Sequence, residues 1–202
     1  MMHFVSGGAA SGKSEYAESL IVKEHSRLGE VVPLLYLATL DASSGGDTLQ
    51  RIEKHRAMRS GKGFRTVELV FDRGSFFLRF ADTGEQESFD VFFARALSGG
   101  VFYDVLLEDT GNLVSNVLFA ADSPTEATAD AVAEKLLLAF IDNLSKVSRL
   151  LVVVHNEITQ EPLQEEPLML SYCKILGCIA AHAASRADSA TQVIAGIPVS
   201  LK

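Results

Sequence analysis

Gly7-Gly8-Ala9-Ala10-Ser11-Gly12-Lys13-Ser14 is the stretch on which the reading of this chain turns. It satisfies G-x-x-x-x-G-K-[ST] in full. Glycines and small residues let successive backbone N–H groups turn inward around a phosphate chain. The apolar His3-Phe4-Val5-Ser6 before it reads as a strand. Lys13 to His25 after it reads as a helix, with Tyr16, Ala17, Leu20 and Ile21 on one face. The loop therefore opens a helix, whose first N–H groups and positive dipole end point at the same anion. Lys13 is expected to reach the β- and γ-phosphates, and the Ser14 hydroxyl to take a Mg2+ position. The bland alternative is a glycine-rich turn at a strand–helix junction. The flanking strand and helix favour a site for a nucleoside triphosphate, GTP or ATP.

Working outward, strands and helices alternate. Leu34–Ala38 reads as a strand, Thr48 to Arg59 as a helix, and Arg65–Leu69 as a strand. Ser75–Phe80 and Phe89–Phe93 flank Asp82-Thr83-Gly84-Glu85, a pattern that predicts a β-hairpin insert around 74–100. Val101–Leu107 then reads as a strand, Asn112–Phe119 as a short helix, and Thr125 to Val147 as a long one with Ser123-Pro124 at its start. Leu150–Val154 is wholly apolar and rich in valine, the mark of a central parallel strand. Leu168 to Arg186 reads as a helix and Gln192–Ala195 as the last strand. This order predicts an α/β fold, one P-loop domain over residues 1–202, with a mostly parallel sheet flanked by helices.

Composition narrows the function classes. The 202 residues carry 18 Lys and Arg against 26 Asp and Glu, a formal net charge of −8. That argues against a nucleic-acid binder, which needs a basic surplus. No run approaches the roughly 18–20 uninterrupted apolar residues of a membrane span. The amino terminus shows neither the basic nor the apolar region of a secretory signal, so a cytoplasmic protein is expected. Cys173 and Cys178 are five apart, a spacing that fits buried thiols better than zinc or redox chemistry.

A phosphate loop also needs a carboxylate near the metal, at the end of a neighbouring apolar strand. Two strands qualify. One ends in Leu107-Glu108-Asp109 and the other in His155-Asn156-Glu157; Glu108, with Asp109 beside it, is the expected metal group. A separate signal lies in Arg51-Ile52-Glu53-Lys54-His55-Arg56-Ala57-Met58-Arg59, four cations around one histidine in an acidic chain. Arg51, His55 and Arg59 follow i, i+4, i+8 and share a helix face. A neutral His55 could attack an α-phosphate while the arginines hold the phosphates. A solvated charged helix is the competing reading.

These blocks, taken in order, resemble the bifunctional adenosylcobinamide kinase/adenosylcobinamide-phosphate guanylyltransferase family. The similarity runs from the glycine loop through Tyr36-Leu37-Ala38-Thr39, Arg51-Ile52-x-x-His55-x-x-x-Arg59 and Arg65-Thr66-Val67-Glu68. It continues through Leu106-Leu107-Glu108, Ser115-Asn116-Val117-Leu118-Phe119, Val152-Val153-Val154-His155-Asn156-Glu157 and Gly196-Ile197-Pro198-Val199. The resemblance implies a RecA-like P-loop fold assembled as a trimer. It implies phosphorylation of the cobinamide aminopropanol hydroxyl, then GMP transfer from GTP by way of a guanylylated histidine, here His55. It implies nucleotide contacts at Gly7 to Ser14, at Ala38, Thr39 and Leu40, at Arg56, Ala57, Met58 and Arg59, and at Glu68 and Glu108.

The chain departs from the family pattern at several positions. Ala10 stands where the family has Arg, Ser60 for Pro and Phe64 for Trp. The stretch Tyr172-Cys173-Lys174-Ile175-Leu176-Gly177-Cys178-Ile179-Ala180-Ala181 replaces F-R-D-x-x-G-x-x-N-Q. Two other readings stand beside the bifunctional enzyme. One is a small-metabolite kinase in which His55 only contacts ligand. The other is a nucleotide-binding protein without catalysis.

Overall fold

The computed structural model describes residues 1–29, 31–40, 61–120, 129–158 and 166–202. The expected helix Thr48–Arg59 and the start of the helix expected from Thr125 lie outside the described residues, as do His55, Arg56, Ala57, Met58 and Arg59. The described strands are β1 (Met2–Gly7), β2 (Leu34–Ala38), β3 (Arg65–Asp72), β4 (Ser75–Phe80), β5 (Gln86–Ser88), β6 (Tyr103–Glu108), β7 (Ser148–Asn156), β8 (Ser189–Ile194) and β9 (Ile197–Ser200). The described helices are α1 (Lys13–Arg27), α2 (Phe89–Gly99), α3 (Thr110–Leu118), α4 (Ala129–Lys146) and α5 (Pro167–Arg186).

The strands form one sheet in the order β5-β4-β3-β2-β6-β7-β1-β8-β9. The six inner strands from β3 to β8 run parallel, and the outer pairs β3/β4, β4/β5 and β8/β9 are antiparallel. This is the expected α/β architecture. Strands buried on both faces must be apolar on both, and β7 is: Leu150 to Val154 are all buried. Val5, Leu34, Tyr36, Leu106, Val152 and Val154 point to the face covered by α1, through Ala17 and Ile21. Phe4, Leu37, Val105, Leu107 and Val153 point to the other, packed against α3, α4 and α5.

The expected hairpin is corrected in its second arm. β4 and β5 do pair across Asp82–Glu85, but Phe89–Phe93 begins α2 instead of returning as a strand. Ser88 caps that helix by accepting from the Val91 N–H at 3.3 Å. Phe89, Phe92 and Ala96 recur at helical spacing on its buried face. Phe89 meets Phe140 of α4 at 4.6 Å between ring centroids, and Phe92 meets Tyr103 at 5.0 Å. Two further hairpins turn on residue pairs with positive φ, Arg73-Gly74 between β3 and β4 and Ala195-Gly196 between β8 and β9. Among the described residues, α5 is the one helix with the length and composition to cross a membrane. In this fold its Ile175, Leu176, Ile179 and Ala183 are buried in the core.

Candidate active site

The phosphate loop leaves β1 at the carboxyl edge of the sheet and enters α1 at Lys13. Gly7 is required there: a Cβ would lie 2.4 Å from Ser11 Oγ and 2.7 Å from the Val193 carbonyl oxygen. Gly12 sits at φ 89 as the residue before the helix, in the left-handed region that glycine tolerates. The helix begins with no side-chain cap, which leaves N–H groups of its first turn for a ligand. The turn of the β8–β9 hairpin backs the loop, with Gly196 N–H donating to the Ser11 carbonyl at 2.8 Å. The Ser11 hydroxyl is buried and unbonded among the described residues, and Lys13 Nζ donates to the Gly8 carbonyl at 3.2 Å. A buried polar atom left without a partner inside such a cradle fits an absent polar ligand.

Glu108 ends β6, two strands from β1, with β7 between them. Its carboxylate accepts from the Tyr36 hydroxyl at 3.0 Å, and the Ser14 hydroxyl lies near enough to act on its pKa. The two residues expected to share a metal thus lie at the same end of the sheet. Burial pushes the Glu108 carboxyl up; the hydroxyl bonds oppose this, while the charges of Asp109 and Glu18 add to it. A buried carboxylate and a hydroxyl offer hard oxygen donors, a set that fits Mg2+. The competing carboxylate, Glu157, is occupied elsewhere: Gln192 Nε2 donates to it at 2.6 Å.

The register of β3, β2 and β6 places Glu68, Ala38 and Glu108 side by side across three strands. Glu68 is held by Arg79, whose Nε lies at 2.8 Å and whose other nitrogen lies at 2.6 Å. Thr39 is fully buried, and its hydroxyl serves the main chain. It lies 2.9 and 2.8 Å from the Glu108 and Asp109 carbonyls and accepts from the Asp109 N–H at 2.7 Å. Thr39 thus locks the end of β2 to the end of β6.

Around Glu108 stand Asp109, which the sequence sets beside it, and residues not singled out beforehand, Asn116 and His155 among them. Asp109 caps α3 by accepting from Asn112 N–H at 2.8 Å, and accepts from Asn156 Nδ2 at 2.9 Å. Asn116 Nδ2 donates to the Thr39 carbonyl at 2.7 Å. His155, beside the loop on β7, meets the Thr110 hydroxyl at 2.8 Å. Burial lowers its pKa to about 4; Glu157 opposes the shift and the Lys13 cation adds to it. The signal available beforehand was the cluster of polar residues at the ends of two apolar strands.

The family model described as cobinamide kinase / cobinamide phosphate guanyltransferase matches residues 3–88 and 93–201. Two curated proteins, each called bifunctional adenosylcobalamin biosynthesis protein CobU, align over the full length of both chains. The one from Escherichia coli is 29% identical over 208 residues, and the one from Salmonella typhimurium is 27% identical over 208. Among solved structures, the flagellar accessory protein FlaH from Methanocaldococcus jannaschii superposes with a TM-score of 0.47 at 12% identity, covering all of this chain and 77% of that one. With the family model spanning all but four residues between positions 3 and 201, this chain belongs to the cobinamide kinase / cobinamide phosphate guanyltransferase family.

Proposed function

We infer that the chain uses its phosphate loop for both half-reactions of a bifunctional enzyme: phosphorylation of adenosylcobinamide, and GMP transfer from GTP to the phosphate so formed. The observation that carries this is the phosphate loop itself, with a left-handed Gly12 before an uncapped α1 and Glu108 near Ser14, in a chain of this family. The loop N–H groups and Lys13 hold the phosphates and stabilise charge as it develops. Ser14 and Glu108 would hold Mg2+, which when bound neutralises phosphate charge. Ala38, Thr39, Leu40 and Glu68, at the carboxyl edge beside Glu108, are the neighbouring nucleotide contacts in this reading. The enzyme works in the cytoplasm as a trimer on a nucleotide and a corrinoid.

His55 is the nucleotidyl acceptor, with Arg56 to Arg59 beside it as phosphate contacts. A neutral imidazole nitrogen forms a bond to the α-phosphorus, the bond from that phosphorus to the bridging oxygen breaks, and pyrophosphate leaves. The phosphate of the corrinoid then displaces the imidazole and takes the GMP. Incubation with α-labelled GTP is expected to label the protein through an acid-labile, base-stable linkage. His55→Ala should abolish the label. An unlabelled wild type, or equal label on the variant, overturns this reading.

A further inference from the structure

Ser14 and Glu18 are one turn apart on α1 and share a face of that helix. Glu18 has no exposed surface, so the face that carries it is turned inward to the sheet. Glu108 reaches the same layer from the sheet side. Side chains alternate along β6, and Leu106 packs with Ala17 and Ile21 of α1, so Glu108 lies on the face that α1 covers. Tyr36, whose hydroxyl bonds Glu108, belongs to that layer too. The charge of Glu18 acts there, since it is among the causes that push the Glu108 carboxyl up.

Glu18 is bonded at one oxygen and not at the other. Its Oε2 accepts from Lys62 Nζ at 2.6 Å, while its Oε1 is buried and no described residue bonds it. A buried carboxylate oxygen without a donor is costly, and two carboxylates buried in one layer repel. A cation carrying water relieves both. Among the described residues no three acids, histidines or cysteines close into a metal cage. A Mg2+ site does not need one, because that ion is held by one or two carboxylates and keeps several waters.

We propose that Glu18 is the second carboxylate of the cation site formed by Ser14 and Glu108. Its Oε1 bonds the cation or a water that the cation carries, and Lys62, a positioning residue, holds Oε2 and fixes the side chain. This rests on the phosphate-site reading given above. The phosphate loop serves both half-reactions in that reading, so the effect of Glu18 falls on both alike.

The test titrates Mn2+ into the full-length protein and follows the free ion by electron paramagnetic resonance. Wild type is compared with Glu18→Gln, Lys62→Met, Glu18→Gln/Lys62→Met and Glu108→Gln, each checked for folding by urea denaturation. Glu18→Gln is expected to weaken Mn2+ binding about ten- to a hundredfold. Lys62→Met keeps the carboxylate and should stay within about threefold of wild type, and the double variant should match Glu18→Gln instead of adding to it. An ion pair with a structural role alone predicts otherwise, since losing either partner would then weaken binding equally. Affinity within about twofold of wild type in Glu18→Gln overturns the proposal, and so does an equal loss in Lys62→Met. Unchanged Mn2+ binding in Glu108→Gln removes the cation site itself and this proposal with it. A loss in Glu108→Gln with none in Glu18→Gln removes the place of Glu18 and leaves the site standing.

Discussion

Asp104 and Glu108 stand four residues apart on β6, at opposite edges of the sheet, and both are buried. Asp104 is bonded by a guanidinium and an imidazole. Arg149 Nε donates to it at 2.9 Å, a second guanidinium nitrogen bonds it as well, and His25 Nδ1 lies at 2.6 Å. Burial pushes this carboxyl up, but the bonds from Arg149 and His25 outweigh it and hold the pKa below the ordinary value. Glu108 receives hydroxyls instead, and its pKa rises. One end of the strand is held by a guanidinium; at the other, the bond shown to the carboxylate comes from a neutral hydroxyl, and we propose that a metal cation completes it. The proposed phosphate site sits at that second end.

The largest effect should come from breaking the end held by the guanidinium. Arg149 also donates to the Leu28 and Gly29 carbonyls just past α1, each at 2.9 Å, so it ties β6, β7 and that helix together. Arg149→Met leaves Asp104 buried with only His25 as a partner. Removing one member of a buried pair costs about 3–5 kcal/mol, and urea denaturation should show a loss of that order. A loss under about 1 kcal/mol would mean that the two edges do not differ as argued.

A pH titration sharpens the same contrast through His155. Its folded pKa of about 4 lies below the ordinary 6.5. The folded state therefore resists a proton that the unfolded chain accepts. The stability this gives is present above about pH 6.5 and is lost as pH falls from there to about 4, a total of about 3 kcal/mol. His155→Gln should flatten the stability curve over that window. His3, also lowered by burial, is common to both proteins and cancels in the difference. A variant curve parallel to the wild type would show that His155 is not held neutral. Below about pH 4 Asp104 takes over, since its depressed pKa gives stability that disappears on acidification.

The fold was largely legible because the parallel strands carry their own signature. Leu34–Ala38 was read with its observed bounds, and the wholly apolar Leu150–Val154 does fall in the centre of the sheet. The reading failed where a local pattern fitted two periods. Phe89-Asp90-Val91-Phe92-Phe93 resembles an alternating strand, yet Phe89, Phe92 and Ala96 match a helix, and packing against Phe140 and Tyr103 decides between them. In the candidate site, motif logic alone sets Ser14 and Glu108 at the same end of the sheet. The bonds of Tyr36 and Asn156 could not be read this way, because they depend on which strands become neighbours across 72 and 47 residues of chain.

The smallest effect should come from the Glu108 end. A raised folded pKa means that Glu108 contributes stability below the unfolded value, near 4.5, and that this is lost as pH rises through the folded value. Its charged form is the costly one, so Glu108→Gln should change stability by no more than about 1 kcal/mol at neutral pH, in either direction. The sign should turn towards stabilisation as pH is raised, because glutamine keeps an acceptor for Ser14 and Tyr36 without the charge. Turnover should fall at least about a hundredfold in the same variant, since the oxygen donor for the cation is gone. A large stability loss with turnover intact would reverse the assignment of the two ends. Glu108 would then be the structural carboxylate, and the metal ligand would have to be sought among its neighbours Asp109 and Glu18.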